Sequence, residues 1–155
     1  MPQFRAIELA IDLATRDRDE LARRHAQAVR NLEFARNQMA QLQGYASEVD
    51  ARLLVQGASA MAIGLVQNHY QFMDRLQQAV TMQEGVILNM QRLSDLAHKN
   101  LLQGEFKLAG LKQVLQARRL AVQKKLARRE QRVTDEFAAM RHIQASAERA
   151  RGEHR

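Results

Sequence analysis

Residues 4–53 read FRAIELAIDLATRDRDELARRHAQAVRNLEFARNQMAQLQGYASEVDARL, and within this stretch apolar side chains recur alternately three and four positions apart. Phe4, Ile7, Ile11, Ala14, Leu21, Ala28, Leu32, Ala35, Met39, Leu42, Ala46, Val49 and Leu53 take thirteen of the fifteen positions in that frame, and Arg18 and His25 take the other two. A chain that is 46% hydrophobic fills about seven of fifteen by chance. The spacing therefore predicts one helix, about 75 Å long, with a continuous seam of the coiled-coil kind. Arg18 and His25, lying in the seam, read as polar groups that fix its register.

Working outward, the composition fits an extended helical protein better than a globular one. The 155 residues include seven Gly, one Pro, no Trp, five Phe and two Tyr. Pro2 is that proline, placed where a helix start tolerates it, so nothing after it forces a break. With no Cys there is no disulfide framework, thiol nucleophile or thiolate metal site, which fits a reducing cytosol. The longest apolar run, Ala60 to Val66, is far too short to span a bilayer, and the N-terminus lacks the apolar centre of a signal peptide. The expectation is a soluble cytosolic protein.

Gly57, Ser59 and Gly64 interrupt the pattern between Leu54 and His69, and Asn68 with Gln71 resembles the N-cap and N3 of a new helix. A short helical turn over Ala60 to Val66 fits inside this connection. The second helix is expected from about Tyr70 to about Ala150, with a seam at Met73, Leu76, Val80, Ile87, Met90, Ala97, Leu101, Leu108, Leu111 and Leu115, weakened at Gln83, Ser94 and Gly104. Beyond Leu115 the frame passes through Arg119, Val122, Leu126, Arg129, Val133, Phe137 and Met140. It needs two successive four-residue steps at 111-115-119 and again at 129-133-137, stutters that locally unwind a supercoil.

Two long helices joined by a short connection fold back as an antiparallel hairpin. The expected architecture is all-α: one coiled-coil domain over residues 1–155, with helix one at about 3–56, a connecting turn near 57–69, helix two at about 70–150, and a C-terminal helical overhang. With the tip near residue 62, facing positions sum to about 124. Two apolar surpluses remain that one facing helix does not cover. One is the stripe Val133, Phe137 and Met140 on the overhang. The other is the row Phe72, Leu76, Ala79, Val86 and Leu93 beside the seam.

The net charge of +7 is concentrated. Lys112, Arg118, Arg119, Lys124, Lys125, Arg128, Arg129 and Arg132 are opposed within their segment only by Glu130. Such a run suits phosphate neutralisation, but no aromatic residue between Lys107 and Glu136 is available for base stacking, so specific nucleic-acid binding is not expected. An acidic protein pocket or ring that receives a basic rod is a further reading. The five histidines show no spacing of three or four and no accompanying carboxylate cluster, so neither a metal nor any cofactor is expected. Asp17, Asp19 and Glu20 lie among Arg16, Arg18, Arg23 and Arg24 as a solvated charged face. No phosphate loop, nucleophile elbow or triad arrangement is present, and a two-helix hairpin has no concave core to exclude water from a reaction, so the chain is not expected to be an enzyme.

Three stretches taken together resemble the flagellar FliJ family of type III export proteins: the Ile7, Ala10, Ile11, Ala14 pattern followed by a charged stretch, the passage from Asn68 to Val80 (NHYQFMDRLQQAV), and Gln131 to Ala138 (QRVTDEFA). The resemblance spans nearly the whole chain. It implies a stalk, similar in shape to the two-helix stalk of the rotary ATPase gamma subunit. The end that holds the N-terminus and the overhang enters the hexameric flagellar export ATPase, by way of Arg118, Arg119, Lys124, Lys125, Arg128, Arg129 and Phe137. The tip side contacts the cytoplasmic domain of the export gate protein FlhA through Phe72, Leu76 and Ala79. A fourth gate position falls on Gln83, where some relatives carry a histidine. The family also implies binding of flagellar export chaperones, an effect on motility and chemotaxis, and a cytoplasmic place at the membrane face of the basal body, reached only through partners. The runners-up are the homologous stalk of a virulence secretion system and a basic coiled-coil protein that binds nucleic acid or ribosomes.

Overall fold

The computed structural model describes residues 2–56 and 63–153. A 3-10 turn, Pro2–Phe4, leads into helix α1, Arg5–Gln56, and the second helix, α2, spans Ile63–Glu153. Among the described residues there is no strand. The two helices pack against each other as an antiparallel helical hairpin. The chain divides into two compact units, one formed by residues 1–12 with 109–155 and the other by residues 13–108.

In the unit of residues 13–108, every seam position expected on α1 from Ala14 to Leu53 is buried or half-buried, including Arg18 and His25. Ala14, Leu32, Ala35, Met39, Leu76, Val80 and Leu108 form its core. Cross-helix neighbours confirm the register: His25 faces His98, Gln83 reaches Ala35, Arg36 bonds Gln91, and His69 lies beside Asp50. The three residues expected to weaken the seam are accommodated in it. Ser94 is buried, Gln83 is hydrogen-bonded across it, and Gly104 supplies the space into which Leu21 packs.

In the other unit, Phe4 and Leu115 are buried, Ile7, Ile11, Leu111 and Val122 are half-buried, and Arg119 donates to Glu8 at 3.0 Å. From Gln123 to Glu153 every described residue of α2 is exposed. This is the helical overhang. On α2 the boundary between the units falls at Leu108 and Ala109, just before the Leu111-Leu115-Arg119 step.

The start of α2 differs from expectation. The helix begins at Ile63, not near Tyr70, so Asn68 lies inside it and is no N-cap. Gly64 costs an interior helix about 1 kcal/mol relative to alanine, but it keeps an ordinary negative φ. Val66 and His69 are half-buried, and this packing outweighs the local propensity. Of the helical turn expected over Ala60 to Val66, Ile63 to Val66 form the first turn of α2, and the rest lies outside the described residues.

Candidate partner-binding surfaces

The row Phe72, Leu76, Ala79 and Gln83 steps by four, three and four along α2, so its members share one face. Seen against α1, they divide. Leu76, which the sequence frame placed both in the seam and in the uncovered row, is buried as a seam residue and not uncovered. Ala79 is half-buried. Gln83 turns inward: its Nε2 donates to the carbonyl of Ala35 at 2.8 Å and to Oε1 of Gln38 at 3.3 Å. Phe72 is 38% exposed and sets its ring edge against Tyr45, with centroids 5.8 Å apart and planes at 78°. Val86 and Leu93 continue the row as exposed residues.

Helix α1 therefore contributes to this surface. Gln38, Gln41, Leu42, Tyr45 and Gln83 line a shallow concavity. The sequence reading missed Tyr45 and Gln38. Their only signal was register, since facing positions summing to about 124 bring this part of α1 opposite residues 79–86.

In the unit of residues 1–12 and 109–155, Arg118, Arg119, Lys124, Lys125, Arg128 and Arg129 are all exposed. Arg119 differs from the others in its engagement with Glu8 across the helix pair. Phe4, Glu8, Arg119, Val122, Gln123 and Leu126 line a small concavity where α1 begins. Further along, Leu126, Val133, Phe137, Met140 and Ile143 are 46–66% exposed and follow one another at helical spacing. Val133, Thr134, Phe137, Ala138 and Arg141 line a second hollow around the Phe137 ring. Among the described residues nothing covers this helix, so its basic groups and its apolar stripe are both exposed on it.

In the acidic cluster on α1, Asp19 and Glu20 are paired with neighbouring arginines as a charged face. Arg18 Nε bonds Asp19 at 2.8 Å. Glu20 accepts both Nε and Nη2 of Arg23, at 3.0 and 2.7 Å, and Nε of Arg24 at 3.2 Å. Chiefly through the Arg23 hydrogen bonds, the Glu20 carboxyl is lowered from its usual 4.5 to about 2. Among the described residues no three His, Cys, Asp or Glu side chains converge as a metal cluster, and no helix is long and apolar enough to cross a membrane.

A protein-family model described as "Flagellar FliJ protein" matches residues 4–147. The match encloses all three stretches that carry the sequence resemblance. No curated protein matches the chain, and neither does any solved structure.

Proposed function

The chain belongs to the flagellar FliJ family, whose members are non-catalytic components of flagellar protein export, and from that premise we propose that it is a stalk and adaptor between the export ATPase and the export gate. The segment from Arg118 through the overhang enters the central hole of the hexameric ATPase. Arg118, Lys124, Lys125, Arg128 and Arg129 meet carboxylates and backbone carbonyls there, and Phe137 supplies an apolar contact. Arg119 is shared with Glu8 and helps hold the helix pair together. Phe72 and Ala79 meet the cytoplasmic domain of FlhA, Leu76 supports them from within the seam, and Gln83 fixes α1 beside them. Export chaperones are the third class of partner. The protein works in the cytoplasm at the membrane face of the basal body, held there through these partners, and its loss reduces motility and chemotaxis.

The observation that carries this reading is the overhang. Exposed Val133, Phe137, Met140 and Ile143 share a helix with the densest basic run of the chain, inside a family match that reaches residue 147. The test is addition of the purified chain to the purified export ATPase. Assembly or turnover should rise, and reversing the charge of Lys124, Lys125 and Arg128 together should abolish the gain. Arg128→Lys with Arg129→Lys should already reduce it, because the bidentate geometry is lost. If the segment served nucleic acid instead, such swaps would change little, and affinity for any duplex would fall roughly tenfold or more between about 50 and 200 mM salt. That pattern, with no effect on the ATPase, would overturn the stalk reading.

A further inference from the structure

His25 on α1 and His98 on α2 stand opposite one another, with ring centroids 5.1 Å apart and planes inclined by 44°. His25 is half-buried and His98 is exposed. Neither imidazole shares a hydrogen bond or ion pair with a described residue, so the ring nitrogens are open to solvent and to ligands. In its neutral form imidazole keeps one nitrogen lone pair, and it is the side chain best suited to late divalent transition metals. Two imidazoles on one tetrahedral ion, at metal–nitrogen distances of about 2.0–2.1 Å, place their ring centroids about 5 Å apart. The separation in the hairpin already has that value.

The surroundings favour the same use. On α1, one turn before His25, Leu21 packs into the space left by Gly104 on the His98 helix. The two helices are therefore in close contact near this level, and the ring centroids already stand at the spacing that one ion between them needs. Asp95, one turn before His98 on the same helix, already accepts the Gln91 amide at 3.0 Å. No third protein ligand joins the pair among the described residues, which leaves the remaining coordination positions to water. Hard cations that prefer oxygen have nothing to gain there.

We propose that His25 and His98 form a two-histidine site for a divalent late transition-metal ion, Zn2+, Ni2+ or Cu2+, which clips α1 to α2. The site is absent from the sequence spacing because its ligands come from different helices. With two protein ligands the ion is exchangeable rather than structural, and the folded chain gains stability with the logarithm of the free-ion concentration once that exceeds Kd.

The test uses the full chain without an affinity tag. Thermal unfolding followed by circular dichroism is compared in about 1 mM Zn2+ or Ni2+ and in about 1 mM Mg2+. The midpoint should rise with the transition metals and not with Mg2+, and calorimetric titration should give one ion per chain. His98→Gln, at an exposed position, should leave the metal-free midpoint unchanged and weaken binding by at least about tenfold. His25→Gln should weaken binding likewise, and the double variant should bind no better than either single one. Should His25→Gln misfold, His98→Gln still decides. No midpoint rise in the parent chain, or binding that survives His98→Gln, overturns the site.

Discussion

A Cβ built on Gly104 would lie 2.8 Å from Cδ1 of Leu21, closer than real side chains approach, while Gly44, Gly85 and Gly110 have nothing within 4 Å of theirs. Gly104 is thus the hole that receives Leu21 from the facing helix. The other three are bare helix glycines.

This contrast separates Gly104 from the other three under substitution. Gly44→Ala, Gly85→Ala and Gly110→Ala should each stabilise the chain by up to about 1 kcal/mol through helix propensity alone. Gly104→Ala has the same gain available, but it must move the Leu21 side chain off its rotamer at about 0.5–1.5 kcal/mol, so it should fall short of the other three by that amount. In a Leu21→Ala background the full gain should return. Urea unfolding of the four-member cycle measures the coupling, expected at about 0.5 kcal/mol or more. Additive effects would show that Leu21 does not occupy the Gly104 space.

How much of this was legible in the sequence depends on which physical term decided each feature. The seam was legible almost residue by residue, because burial against a single partner helix imposes one period and Phe4 through Leu53 obey it. The start of α2 was not, since Gly64 and Asn68 are local break signals, and the packing of Val66 and His69 that overrides them exists only in three dimensions. Gly104 looked like a weakness for the same reason: its cost to the helix is local, and its use is a contact with a residue far away in the chain. Among the candidate partner residues, the exposed basic run could be read directly from charge. Gln83 fell in the seam frame as well as in the partner row, and its bonds to the Ala35 carbonyl and to Gln38, which settle it inward, depend on contacts across the helix pair that spacing does not show.

The Glu20 cluster gives a pH prediction. Held by the fork of Arg23 and by Arg24, the Glu20 carboxyl should titrate at about 2 rather than at its usual 4.5. A depressed folded-state value means that its stabilising contribution is present above the usual carboxylate value and is lost as pH falls toward about 2. The group is solvent-exposed, so added salt should move the value back toward 4.5. Carbon-detected NMR titration of the side-chain carboxyl in Arg23→Gln and in the parent chain reads this out. A midpoint in the parent chain near 4.5 at low salt would mean that the fork does not persist in solution.

The last prediction separates two neighbours on one helix face, Phe72 and Gln83. Gln83 spends its amide on the Ala35 carbonyl and on Gln38, so Gln83→Met, which keeps length and removes the donor, should cost about 0.5–1.5 kcal/mol in stability. Ala35 already lies within a helix, so its carbonyl is not left without a partner, and the cost should sit at the lower end of that range. Binding of the folded variant to the FlhA cytoplasmic domain should be unchanged. Phe72 should show the reverse. Its ring is partly exposed and meets only Tyr45 among described aromatic rings, so Phe72→Ala should give up about 0.5–1.5 kcal/mol of edge-to-face contact plus some apolar burial. It should also weaken FlhA binding by a larger factor than Gln83→Met does. Tyr45→Ala separates the loss of that ring contact from the loss of a binding residue, because it removes the same contact while leaving Phe72 in place. Titration calorimetry and urea unfolding on the same three variants give both numbers for each. A Phe72→Ala chain that folds and binds FlhA normally, beside a Gln83→Met chain that does not bind, would move the gate contact from the exposed edge of the row to its seam side.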